Sequence, residues 1–85
     1  MQRFGFLLIP GFSMLSLAAA VEPLRMANAQ AEEELYQWDF LSWDNTSVNA
    51  SNNMVTAPTM DVDQVKMLDV LLVVAGINVA TYGDD

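Results

Sequence analysis

The chain contains no cysteine and no histidine among its 85 residues. Without cysteine there is no disulfide framework, thiolate metal site or cysteine nucleophile within it. Without histidine, a Ser-His-Asp triad, a histidine-bearing zinc site and an imidazole base cannot be built from this chain alone. Basic residues are scarce: three Lys and Arg stand against eleven Asp and Glu, for a net charge of -8. A surface of that sign repels phosphates, which makes these residues by themselves a poor nucleic-acid binder. The phosphate cradles Gly-x-Gly-x-x-Gly and Gly-x4-Gly-Lys-Ser/Thr are both absent,. Asp61-x-Asp63 lacks the rest of a calcium loop and reads as helix capping,. Nothing in the chain calls for a metal ion or another cofactor, and no internal repeat or low-complexity segment occurs.

What is present is apolar. The composition is 53% hydrophobic and 16% charged, which excludes a disordered tail,. At 9.4 kDa there is room for one small domain or part of one,. The N-terminus imitates a secretory leader: Arg3, then an apolar stretch from Phe4 to Val21, then small-residue cut sites around Ala27 to Ala31,. Pro10-Gly11 breaks that stretch, and Glu22 and Arg25 place charges before the supposed cut. The same turn counts against a membrane span, because it leaves backbone groups unpaired in lipid. An exported protein, with a mature start near Gln30 or Glu32, is the least favoured alternative.

Phe4 to Ile9 has no polar alternation, which is how a strand buried on both faces reads,. Pro10-Gly11 ends it, and Ser13 can cap the helix that follows. Met14 to about Glu33 reads as helix, with Leu17, Val21, Leu24, Met26 and the Ala18-Ala19-Ala20 run on its apolar side. Pro23 should kink it, and Glu32-Glu33-Glu34 reads as a frayed, solvated end. Tyr36, Trp38 and Phe40 alternate as in a strand with one buried face. Asp44-Asn45-Thr46 is turn chemistry, and the short strands near Val48 and Met54-Val55-Thr56 suggest a hairpin. Asp61 or Thr59 can cap a helical turn over Val62 to Met67, and Val70 to Val74 is a second all-apolar run ending at Ala75-Gly76. Five methionines, Met14, Met26, Met54, Met60 and Met67, read as core filler,.

Two fully buried strands with a helix between them predict an α/β fold with a doubly wound, mostly parallel sheet and helices on both faces. Only one long helix is present, so the chain reads as the first half of a single domain, residues 1–85, whose other strands and helices lie elsewhere. In such sheets ligands bind outside the carboxyl ends of the strands. The two ends here are Pro10-Gly11-Phe12-Ser13 and Ala75-Gly76-Ile77-Asn78, which nominates Phe12, Ser13, Gly76, Ile77 and Asn78 as pocket lining, with Ser16 and Glu22 nearby. Glu22 reads equally well as an exposed carboxylate. No catalytic group is expected among them.

The stretch from Phe6-Leu-Leu-Ile-Pro-Gly-Phe-Ser through Val21-Glu-Pro-Leu-Arg-Met-Ala-Asn28 resembles the N-terminus of bacterial AraC-family transcription regulators that carry a class I glutamine amidotransferase-like (PfpI-like) sensor domain. Tyr36 to Ser42, Ser51 to Pro58 and Leu68 to Gly76 continue the resemblance, so it covers nearly the whole chain. It implies a flavodoxin-like sensor domain, usually a homodimer, in a cytoplasmic regulator that binds a small-molecule effector. DNA would be held by a separate helix-turn-helix domain absent from this chain, and no membrane is involved. Enzymes of the same fold, hydrolases or deglycases, use a cysteine elbow beyond Asp85 and a glutamate early in the first helix. Ser16 occupies that glutamate's place, and a hydroxyl cannot replace a carboxylate that holds or deprotonates a nucleophile. The chain is therefore expected not to be an enzyme. Ala19-Ala20 stands where many members have Gly-Pro, with Pro23 instead. Relatives with this Glu-Pro-Leu-Arg variant resemble regulators of quaternary amine or arginine use. A cation against Trp38, Trp43 or Tyr36 would be sensible, but core packing is the favoured reading of those aromatics.

Overall fold

The computed structural model describes residues 1–76. In chain order its elements are β1 (Gln2–Leu8), α1 (Met14–Ala31), β2 (Tyr36–Leu41), β3 (Val48–Asn49), β4 (Val55–Thr56), a 3-10 helix (Val62–Met67) and β5 (Val70–Val74). Strand β1 lies in the middle of a three-stranded sheet of order β2-β1-β5, and both of its pairings are parallel. The apolar run that predicts a strand covered on both sides does form one: Gly5, Phe6, Leu7 and Leu8 are all buried.

Register sorts the side chains onto two faces. Phe4 and Phe6 lie opposite Trp38 and Phe40 on one flank, and Phe6 and Leu8 lie opposite Leu72 and Val74 on the other. That face meets α1 through Met14, Leu17, Ala20, Val21 and Leu24. The Phe6 and Phe40 rings tilt together at 6.1 Å, and Phe4 meets Tyr36 edge to face at 5.8 Å, geometries that aromatic quadrupoles favour. Gly5, Leu7 and Leu41 point to the opposite face. A Cβ at Gly5 would collide with the Leu68 side chain, so the missing side chain is what lets Leu68 lie against the strand.

Helix α1 begins as expected, with the Ser13 hydroxyl accepting from the Ser16 N–H at 3.2 Å. It ends at Ala31 rather than near Glu33, because Glu32 takes a left-handed conformation (φ 54°) and its N–H donates to the Ala29 carbonyl. The segment remains helical across Pro23. Pro23 and Ala19 are both exposed, so water can take up the carbonyl left without its N–H partner,. Met26 does not join the apolar side: it is 57% exposed, since two residues past Leu24 is about 200° around a helix,.

Strand β5 departs from its expected burial. Leu71, Leu72 and Val73 are exposed and only Val74 is buried. The cause is position, because β5 is an edge of the sheet and among the described residues nothing pairs with its outer side. Helical cover is likewise one-sided among the described residues, where one long helix lies on the Phe6 face.

The hairpin forms as read. β3 and β4 pair antiparallel around a turn in which Asn53 has φ 70° and the Asn52 carboxamide oxygen accepts from the Met54 N–H. It docks on the loop after β1: Gly11 N–H donates to the Asn49 carbonyl and Ser51 N–H donates to the Phe12 carbonyl, both at 2.8 Å. Val48 and Ala50 are thereby buried with Phe12. Asp61 caps the 3-10 helix through the Asp63 N–H at 2.8 Å.

Candidate functional site

The chain leaves β1 for β2 on one side and later returns to β5 on the other. Strand order therefore reverses at β1, and the crevice between the carboxyl ends of β1 and β5 is the switch point where open α/β sheets bind ligands. The two ends meet closely. Ile9 N–H donates to the Val74 carbonyl at 3.0 Å, and Ser13 N–H donates to the Ala75 carbonyl at 3.2 Å. Gly11 has φ 84°, a conformation glycine adopts without a steric penalty,. Gly76 lies so near that a Cβ on it would strike the Gly11 carbonyl oxygen. Both glycines that the sequence marks after these strands are thus used, one for its dihedral and one for its missing side chain.

Of the residues nominated from sequence, Ser13 and Gly76 come together at this crevice. Ser13 is half-buried, and its hydroxyl is engaged by the helix cap. Ser16 is exposed in the first turn of α1. Phe12 turns inward: it is 0% exposed, its ring belongs to the core, and its backbone N–H and C=O bond to Ile9 and Ser51. A large apolar ring after a strand is buried for the same reason the strand is, and here the hairpin supplies the cover. Glu22 lies nine residues past Ser13, roughly 13 Å along a helix. Its carboxylate holds Arg25 through bonds of 2.8 and 3.0 Å. That pairing keeps the Glu22 carboxyl below the ordinary glutamate range and raises the Arg25 guanidinium. Ile77 and Asn78 lie outside the described residues.

A concavity on the other flank of β1 was not anticipated. A cavity of about 230 Å3 lies between the carboxyl ends of β1 and β2, lined by Leu8 and Pro10 from one and by Ser42 and Trp43 from the other, with Asp44 and Thr46 to Val48 closing it. Trp43 is 68% exposed, so it is not core. Asp44 accepts from the Thr46 hydroxyl at 2.6 Å and the Thr46 N–H at 3.2 Å, which hold its carboxyl below the ordinary aspartate range. An exposed indole beside an ionised carboxylate suits a small cation. The available signal was Ser42-Trp43-Asp44 directly after a strand, a third carboxyl end. Trp38 and Tyr36, by contrast, are half-buried against β1 and α1.

No protein-family model matches the chain. Individual relatives do. The HTH-type transcriptional regulator GbdR of Pseudomonas aeruginosa is 42% identical over 78 residues, which is 92% of this chain and 21% of that protein. The chain is homologous to the N-terminal region of AraC-family HTH regulators. CdhR, an HTH-type transcriptional regulator of the same organism, is 47% identical over 75 residues, 88% of this chain and 22% of CdhR. A crystal structure of an AraC family transcriptional regulator from Pseudomonas putida superposes with a TM-score of 0.81 at 29% identity, covering 92% of this chain and 42% of that one. The chain thus spans about a fifth of the length of the curated relatives it matches (21% and 22%). These relatives are transcription regulators, not enzymes. The region that imitates a leader supplies the central strand and the helix packed on it, so a cut near Gln30 would remove both.

Among the described residues no helix is long and apolar enough to cross a membrane, and no group of three or more acidic side chains is placed to hold a metal ion.

Proposed function

We propose that the chain is the N-terminal part of an effector-sensing domain, class I glutamine amidotransferase-like (PfpI-like) and flavodoxin-like in fold, within a cytoplasmic AraC-type transcription regulator. The observation that carries this reading is the 42% identity to GbdR across 92% of the chain. The convergence of the β1 and β5 ends supports a small-molecule crevice there, bordered by Ser13, Ser16 and Gly76. A quaternary amine or amino acid is the class of effector we favour, and Trp43 with Asp44 offers its cationic group a neighbouring surface,. Effector binding biases how two subunits pair, and so the spacing of helix-turn-helix domains carried elsewhere. The domain performs no bond-breaking.

Calorimetric titration with glycine betaine, carnitine and arginine tests this. Saturable binding of one of them, lost when Ser16→Trp covers the crevice from an exposed position and retained in Lys66→Ala, is the expected result. No binding of any of the three, or binding indifferent to Ser16→Trp, overturns it.

A further inference from the structure

Strand β2 pairs with β1 on one side only, so its other side is an edge among the described residues. Along a strand the backbone groups point alternately to the two sides, and Tyr36 and Phe40 show which residues of β2 face outward. The Asn28 carboxamide holds both groups of Tyr36: its oxygen accepts from the Tyr36 N–H at 3.0 Å and its NH2 donates to the Tyr36 C=O at 2.9 Å. Thr59 holds both groups of Phe40: its hydroxyl accepts from the Phe40 N–H and its own N–H donates to the Phe40 C=O, both at 2.8 Å. Trp38 lies midway between them and faces the same way. Among the described residues its N–H and C=O have no partner. A cavity of about 240 Å3 lies beside it, lined by Asn28, Glu34, Tyr36, Gln37 and Trp38.

The two flanking side chains set what fits this notch. A strand laid along an edge bonds at alternate residues, and the next bonding positions on either side of Trp38, roughly 7 Å away, are already taken,. One peptide residue can therefore bond there, with its chain turning away at both ends. The Asn28 carboxamide, a peptide-like group bonded in the same way two residues along, shows that the edge accepts an amide. A side chain on the bound residue shares the face of Trp38, which is the face that α1 covers,. Negative charge awaits it there. Glu34 lines the cavity, and the last turn of α1, which supplies Asn28, has no basic residue to oppose the negative end of the helix dipole,. Lysine or arginine is the side chain that fits. A second copy of this chain cannot bring one. Its three basic residues are Arg3, in the central strand, Arg25, held by Glu22 on α1, and Lys66, in the 3-10 helix. None of these is in an extended segment free to lie along an edge.

We propose that the outer edge of β2 at Trp38 docks an extended segment of a partner polypeptide, one residue of which exchanges two hydrogen bonds with Trp38 and sets a lysine or arginine beside Glu34. Main-chain bonds supply the affinity and the acidic cavity the selectivity. Two such bonds and one surface charge pair make a weak contact, in the millimolar range for a short peptide. The notch lies across the sheet from β5 and its crevice, so it does not depend on the effector-sensing reading.

Titration of the nitrogen-labelled chain with acetyl-Val-Lys-Val-amide, followed by proton–nitrogen NMR, tests the proposal. The Trp38 backbone N–H is expected to move downfield and to saturate at millimolar peptide. Methylating the lysine backbone nitrogen of the peptide removes the donor to the Trp38 C=O and should weaken binding about fivefold or more. Glu34→Lys should weaken it about threefold or more. The same spectra show whether that variant stays folded, and Glu34→Gln carries the prediction at about twofold if it does not. No saturable shift at Trp38, equal binding of the methylated peptide, Glu34 variants without effect, or an equal shift produced by butylammonium alone overturns the proposal. So does a Trp38 shift that appears on diluting the free chain, which would place a second copy on this edge.

Discussion

Asn28 shows how much one side chain can hold. Its carboxamide oxygen accepts from the Leu35 and Tyr36 N–H groups at 2.9 and 3.0 Å, and its NH2 donates to the Tyr36 carbonyl at 2.9 Å. These three bonds fasten the end of α1 to the start of β2. Asn28→Ala should lower stability by roughly 2 kcal/mol in urea unfolding, as expected for several part-buried bonds lost together. Gly76→Ala should cost about 1–3 kcal/mol, because the backbone carbonyl of Gly11 cannot yield as a flexible side chain would,. Asp44 ties stability to pH. Its folded-state affinity for a proton is depressed by Thr46, so its contribution is full above the ordinary aspartate value and fades as pH falls through the lowered one. Asp44→Ala should therefore reduce stability near neutrality and converge with the wild type in acid, as read by denaturation at stepped pH.

At the scale of elements, α1 combines an expected start with an interruption it tolerates. Ser13→Ala removes the cap and should cost about 1 kcal/mol,. Pro23→Ala should do the reverse: it restores a helical N–H at an exposed position and should raise stability by about 2 kcal/mol once the greater freedom of the unfolded chain is subtracted,. Thermal unfolding followed at the helix band checks both. The hairpin is a larger matter than its two-residue strands imply. By covering Phe12 it closes the core over the strand-end loop, and through Gly11 and Ser51 it fixes the path of that loop. Alternation and turn residues made the hairpin legible in the sequence. Its docking was not legible, because backbone bonds between Gly11 and Asn49 carry no side-chain signature.

At the scale of the whole molecule, β5 presents an edge unpaired among the described residues, with Leu71, Leu72 and Val73 exposed. Such an edge is a template for further pairing. Val73→Lys should suppress aggregation on concentration, read by light scattering, without altering the parallel pairing of β5 to β1. The elements themselves were largely readable. β5 runs from Val70 to Val74 and the 3-10 helix from Val62 to Met67, as composition and capping predict, and the two strand ends meet. Less readable was which end of the sheet opens into a cavity. Phe12, expected at a pocket wall, is enclosed, whereas Trp43, expected in the core, stands outside.

Local chemistry decided the identity and order of the elements in this protein. Apolar runs without polar alternation favour buried strands, a serine before an alanine-rich run starts a helix, and glycine permits the turns that end them. Those preferences act over a few residues and so survive in the sequence. Exposure does not. Two similar apolar runs, one through Phe6 and one through Leu72, met different fates because one became the centre of the sheet and the other its edge. Burial depends on which elements come to lie alongside, and only the assembled sheet determines that.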